Sequence, residues 1–80
     1  MYKFKSWLKE ETTFTDNVIR DTCSRLNRVK KLIGDVDNDE LSLLIERLEK
    51  NSEYQDINIK VKSQLKRSLT LFIQFKHHGK

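Results

Sequence analysis

Eighty residues with no proline, two glycines, 35% charged and 9% aromatic residues point to one helical unit, because a turn-rich sheet sandwich needs chain breakers that are missing here. The single cysteine excludes a disulfide scaffold, and hydrophobic residues at 36% allow only a small core, since a chain this short buries roughly 60% of its unfolded surface. The net charge of +4 is unevenly laid out: residues 1–33 carry eight Lys/Arg against four Asp/Glu, residues 34–56 two against eight, and residues 57–80 six against none. A basic–acidic–basic order makes a dipolar molecule wherever the first and third segments share a side, and that side attracts phosphate.

Tyr2, Phe4, Trp7 and Leu8 recur at helical spacing and predict a first helix over residues 2–10, with its aromatics facing a core. Thr12, Thr13 and Thr15 break it. Thr13 or Thr15 can cap a second helix over residues 15–33, whose start is favoured by Asp16 and whose end is marked by Lys30, Lys31 and then Gly34. Val18, Ile19, Thr22, Cys23, Leu26, Val29 and Ile33 form its apolar stripe. At about 100° per residue, Arg20, Ser24, Asn27, Arg28 and Lys31 fall on the other side. Asp37 followed by Glu40 reads as a capping box that opens a third helix to Lys50, with Leu41, Leu44, Ile45 and Leu48 inward. Asn51, Ser52 and Glu53 read as a polar connection. Ile57, Val61, Leu65, Leu69, Phe72 and Phe75 mark a fourth helix over residues 57–76, with Lys62, Lys66 and Ile73 on one flank and Lys60, Arg67 and Gln74 on the other. The expected fold is all-α, a compact four-helix domain over residues 1–80. It pairs the first helix with the second and the third with the fourth, as two antiparallel hairpins on one core.

Catalytic chemistry finds few residues to work with. His77 and His78 are adjacent near the chain end, where fraying is expected, and no Ser/His/Asp or Cys/His set accompanies them. Cys23 lies in an apolar stripe that raises a thiol's pKa, and no glycine-rich phosphate loop is present. Asp35, Asp37, Asp39 and Glu46 match positions one, three, five and twelve of a calcium loop, but the sixth position, where the sharp turn needs glycine, is Glu40. Helix capping explains these acids without a metal. The expectation is therefore a chain that is not an enzyme and has no cofactor, no metal site and no small-molecule substrate. With no run approaching the roughly 20 apolar residues of a membrane span and no apolar centre in MYKFKSWLKEE, it is expected to be soluble, intracellular and off the membrane.

The basic residues carry more. Arg20, Ser24, Asn27, Arg28 and Lys31 are spaced by three and four along one ridge, with Arg25 beside it, and arginine and asparagine can also hydrogen bond base edges. The fourth helix adds Lys60, Lys62, Lys66 and Arg67 in a segment with no acid, so two basic helices can present a joint surface to phosphate. Tyr2, Phe4, Trp7, Phe72 and Phe75 are assigned to the core rather than to base stacking. Leu71 and Ile73 lie off the main apolar stripe and mark a second possibility, a protein-contact surface.

Phe4-x-x-Trp7-Leu8, then Phe14-Thr15-Asp16-Asn17-Val18-Ile19-Arg20, then Ser24-Arg25-Leu26-x-Arg28-Val29, together with a closing helix from Ile59 through Phe72 and on to Phe75, resemble the amino-terminal core-binding, SAM-like domain of tyrosine recombinases and phage integrases. The resemblance covers nearly the whole chain. It departs from the family at Thr22-Cys23, where a tyrosine is usual, and in the acidic stretch over residues 35–40. It implies a four-helix domain that clamps duplex DNA with its second and fourth helices, placing contacts on Arg20, Ser24, Asn27, Arg28 and Lys31 and on Lys62, Lys66 and Arg67. The family's catalytic domain is absent, so the resemblance implies a module that cannot cut or join DNA alone, bacterial or phage-encoded and acting in the cytoplasm. The alternative expectation is a protein-interaction or oligomerisation adaptor of a larger nuclease or integrase.

Overall fold

A computed structural model describes residues 2–36 and 40–78. Among these residues the chain is all helical, in the order α1 (Tyr2–Glu11), α2 (Asp16–Ile33), α3 (Leu41–Lys50), α4 (Ser52–Gln55) and α5 (Ile59–His78). The four expected helices are present, and a fifth, the one-turn α4, stands where a plain polar connection was expected. No helix is long and apolar enough to cross a membrane.

Local chemistry sets the boundaries. At the end of α1 the Thr12 hydroxyl donates to the Leu8 carbonyl and in turn accepts from the Phe14 N–H at 3.2 Å, which turns the chain out of the helix. Thr15, in extended conformation, then caps α2 by accepting from the Val18 N–H at 3.3 Å, while Asp16 sits in the first turn. Gly34 closes α2 at φ +82° and ψ −145°, its N–H donating to the Lys30 carbonyl at 2.8 Å. Positive φ was expected there, but this backbone lies outside the ordinary left-handed helical cap, in a region that is essentially glycine's alone. The Asp37 capping position lies outside the described residues. Glu40, expected inside the first turn as the partner of a capping box, is instead the extended N-cap of α3 and makes no side-chain capping bond, so the helix begins at Leu41; Lys50 ends it as expected. Asn51 explains α4: its side-chain oxygen accepts from the Tyr54 N–H at 3.0 Å and its amide donates to the Leu32 carbonyl at 2.9 Å. One asparagine thereby caps a helix and ties it to the end of α2. Asn58 does similar work for α5, accepting from the Lys60 N–H at 2.8 Å.

The core draws on every helix. Phe4 and Leu8 from α1, Ile19, Leu26 and Val29 from α2, Leu44 and Leu48 from α3, Tyr54 from α4, and Leu65, Leu69, Phe72 and Ile73 from α5 are buried. α1 packs on α2 and α3 on α5, but the most extensive contact in the molecule joins α2 to α5. The expected core positions are mostly realised, with Val18 an exception and with Val36, Tyr54 and Ile73 joining the core from outside the expected stripes. Val18 is 40% exposed, at the edge of the stripe assigned to it, and Val36, isolated among acids, is fully buried. Thr22 tolerates burial because its hydroxyl donates to the Val18 carbonyl at 2.8 Å. Phe4 and Phe72 are in the core and Trp7 and Phe75 pack against it as expected, while the Tyr2 side chain lies outside what is described. Phe4 stands edge-on to Phe72 at 5.4 Å and lies 5.5 Å from Phe75, and Trp7 lies 5.8 Å from Phe75. These rings clamp the start of the chain onto the last turns of α5.

Candidate nucleic-acid interface

With Ile19, Thr22, Leu26 and Val29 turned inward, helix periodicity leaves Arg20, Ser24, Asn27, Arg28 and Lys31 on the solvent side of α2, and all five are exposed. From Arg20 to Lys31 the ridge is about 16 Å long at 1.5 Å per residue. Arg20 donates to the Asn17 side-chain oxygen at 3.4 Å, a contact that keeps the guanidinium at the surface. Arg20, Arg28 and Lys31 enter no ion pair with another described residue. Ser24, Asn27, Arg28 and Lys31 form one wall of an open groove of about 460 Å³ whose other lining is Leu32, Glu53 and Ile57. Glu53 is the acid at this groove, and nothing in the spacing of α2 announced it.

Arg25 turns toward α5. It shares a groove of about 220 Å³ with Arg67, Gln64, Ser68 and Leu71 of α5 and with Phe14, Val18 and Thr22. The Arg67 guanidinium lies 5.6 Å from the centre of the Phe14 ring, which props it at the rim. This groove is where the two basic helices meet.

Lys62 and Lys66 occupy the opposite flank of α5. They line a third groove, of about 280 Å³, with Glu49, Tyr54, Gln55, Ile59 and Ser63. Lys66 Nζ is 2.8 Å from Glu49 Oε2, a contact across 17 residues of sequence that holds the ammonium pKa above its ordinary value, chiefly through that hydrogen bond. Lys62 Nζ stands 5.6 Å from the Tyr54 ring, while the Tyr54 hydroxyl donates to the Lys62 carbonyl at 3.3 Å. Burial is the first cause that raises the Tyr54 pKa. Lys60 is exposed on the first turn of α5.

Nine of the ten residues expected to bind DNA therefore form three groups, a ridge on α2, an arginine pair in the α2–α5 groove and a lysine pair beside α3 and α4, while Lys60 stands apart at the start of α5. The fold joins the first two through α2 and holds Lys66 on an acid. A further groove, of about 340 Å³ between α1 and α2, brings Lys5 and Lys9 to Arg20, with Asp16, Asn17 and Ile19 completing its lining. The i,i+4 spacing of Lys5 and Lys9 was the available signal for it.

The remaining expected features are placed as follows. Cys23 is half-buried with its thiol pKa raised, first by burial, against a smaller opposing effect of the Lys5 charge. Ile73 is buried and Leu71 half-buried against the core, so these two do not form an exposed apolar strip. Glu46 pairs with Lys50 at 2.8 Å on the exposed face of α3, and Asp37 and Asp39 lie outside the described residues. His77 is exposed on the last turn of α5, which reaches two residues beyond the expected end at Lys76. Comparisons with protein families, with curated proteins and with solved structures find no match to this chain.

Proposed function

We propose that this chain is a non-catalytic module that binds duplex DNA, in the manner of the core-binding domain it resembles, with the two-hairpin SAM-like arrangement of that domain. One observation carries the reading. α2, with five Lys/Arg against two Asp, and α5, with five Lys/Arg and no acid, are packed side by side as the central pair of the fold. Self-repulsion opposes such a pairing in isolation, and an external polyanion relieves it.

Arg20, Arg28 and Lys31 on the ridge, Arg25 and Arg67 in the groove and Lys60 at the start of α5 supply six cations. Six phosphates neutralised give a log–log dependence of affinity on salt with a slope near −5, at about −0.9 per phosphate. Ser24 and Asn27 stand between the ridge cations and can reach groove edges, so a modest sequence preference is laid over the phosphate term. The adaptor alternative drew on an apolar strip at Leu71 and Ile73 and on the charge dipole; with Ile73 buried and Leu71 half-buried, the strip lends it no support. The test is a titration of labelled random-sequence duplex DNA by the full chain at several salt concentrations, with heparin as the electrostatic control. Micromolar binding with a slope of about −5 or steeper is expected; no binding at low salt overturns the proposal.

A further inference from the structure

The groove between α1 and α2 adds a fourth group of basic residues to the three already described. Its cations are Lys5 and Lys9, one turn apart on α1, and Arg20, which is also the first residue of the α2 ridge. The groove and the ridge are therefore continuous through a shared side chain. Lys5 and Lys9 are exposed and enter no ion pair with another described residue. Their fate differs from that of Lys66, which Glu49 already holds at 2.8 Å. Asp16 is the acid of the lining and also serves the first turn of α2. Asn17, beside it, adds an amide able to donate to a phosphate oxygen.

We propose that Lys5 and Lys9 extend the DNA-contacting track beyond the amino-terminal end of the α2 ridge, so that the backbone of duplex DNA runs from the α1–α2 groove along Arg20, Asn27, Arg28 and Lys31. The inference rests on the DNA-binding reading and names a part of the surface that the charge of α2 and α5 does not include. The ligand chemistry is the phosphodiester backbone. Successive phosphates on one strand advance about 3.4 Å along the duplex axis, so the ridge alone spans about five steps, and the groove adds contacts past its near end. The two lysines add about two neutralised phosphates, which steepens the salt slope from near −5 to near −7.

The experiment uses the full chain and a duplex DNA of fixed length, with Lys5→Gln/Lys9→Gln compared with Lys3→Gln/Lys50→Gln, a pair that removes the same charge elsewhere. Glutamine keeps helix propensity close to that of lysine, so thermal melts of the variants should overlay the parent. The expected result is a slope about 2 units shallower and affinity at least about tenfold weaker at 0.1 M salt for the groove variant, with the control pair keeping the parental slope. A second variant, Asp16→Asn, should bind more tightly than the parent. A parental slope in the groove variant overturns the extended track while leaving the DNA reading in place. Equal flattening in the control pair also overturns it, because net charge rather than position is then acting. A parent that binds no duplex at low salt removes this inference together with the reading beneath it.

Discussion

The outward face of α2 and the α3-facing flank of α5 carry the same type of residue at the same helical spacing, yet they hold their charges differently. On α2, Arg20, Arg28 and Lys31 stand exposed with no acid bonded to them among the described residues. On α5, Lys66 is held by Glu49 and Lys62 sits over the Tyr54 ring. What differs is the neighbour. The chain reversal after α2 leaves its outer face uncovered for most of its length, whereas α3 and α4 fold back along α5 and bring an acid and a tyrosine to it. Counting cations along a helix measures how many charges exist; only the packing decides how many are uncommitted.

That comparison depends on α2 and α5 staying docked, and the largest expected effect is its loss. Leu26→Ala removes a fully buried side chain from α2 and should cost about 2–5 kcal/mol, a large share of the roughly 5–15 kcal/mol that holds a domain. A thermal melt followed by circular dichroism should show the midpoint falling by 10 °C or more, as expected at about 4–8 °C per kcal/mol, and duplex binding lost with it. Leu43→Ala, at a residue 49% exposed, should move it little.

Next in size is a direct contrast between the two faces. Arg28→Gln should flatten the salt slope of DNA binding by about 1 unit, whereas Lys66→Gln should leave it within about 0.3 of the parent. Equal flattening in both variants would erase the distinction drawn between a free and a committed cation. Glu49→Gln tests the same point from the acid's side. Releasing Lys66 should raise affinity about two- to fivefold at low salt by freeing up to one further phosphate contact, while stability changes by no more than about 1 kcal/mol, as for other exposed pairs.

The smallest effect concerns alkaline pH. Burial favours the neutral forms of Cys23 and Tyr54 and raises both pKa values in the folded state. The folded chain then binds more protons than the unfolded chain above the ordinary thiol value. Stability is fully present below that pH and declines as pH rises through the shifted value. Melting temperatures should fall gently from about pH 8.5 upward, and Cys23→Ala should reduce the first part of that fall.

Much of the secondary structure is legible in the sequence. Thr15 and Gly34 bracket α2 because a hydroxyl at the N-cap and a residue without a side chain at the C-cap each answer a local backbone need. The stripe Ile19, Thr22, Leu26 and Val29 likewise reads directly from period and polarity. The pairing of α2 with α5 was not legible in the same way: periodicity states which face is buried, not against what. α4 was hidden because its cap, Asn51, and its first residues look like any polar turn, and the burial of Tyr54 depends on α5 folding over it. The candidate site divides along the same line. The α2 ridge is a property of one helix and was read from spacing, while the Lys66–Glu49 pair, the Glu53 wall and the approach of Lys5 and Lys9 to Arg20 arise between segments distant in sequence.

At Gly34 no heavy atom lies within 4 Å of where an added Cβ would stand, so a side chain has room but lacks a permitted backbone. Reflecting its φ of +82° and ψ of −145° gives an extended left-handed-helix geometry of the polyproline type, which ordinary residues adopt freely. The constraint on this position is thus one of handedness and not of size: every L-residue larger than glycine meets strain there, and a D-residue would find its backbone at ease.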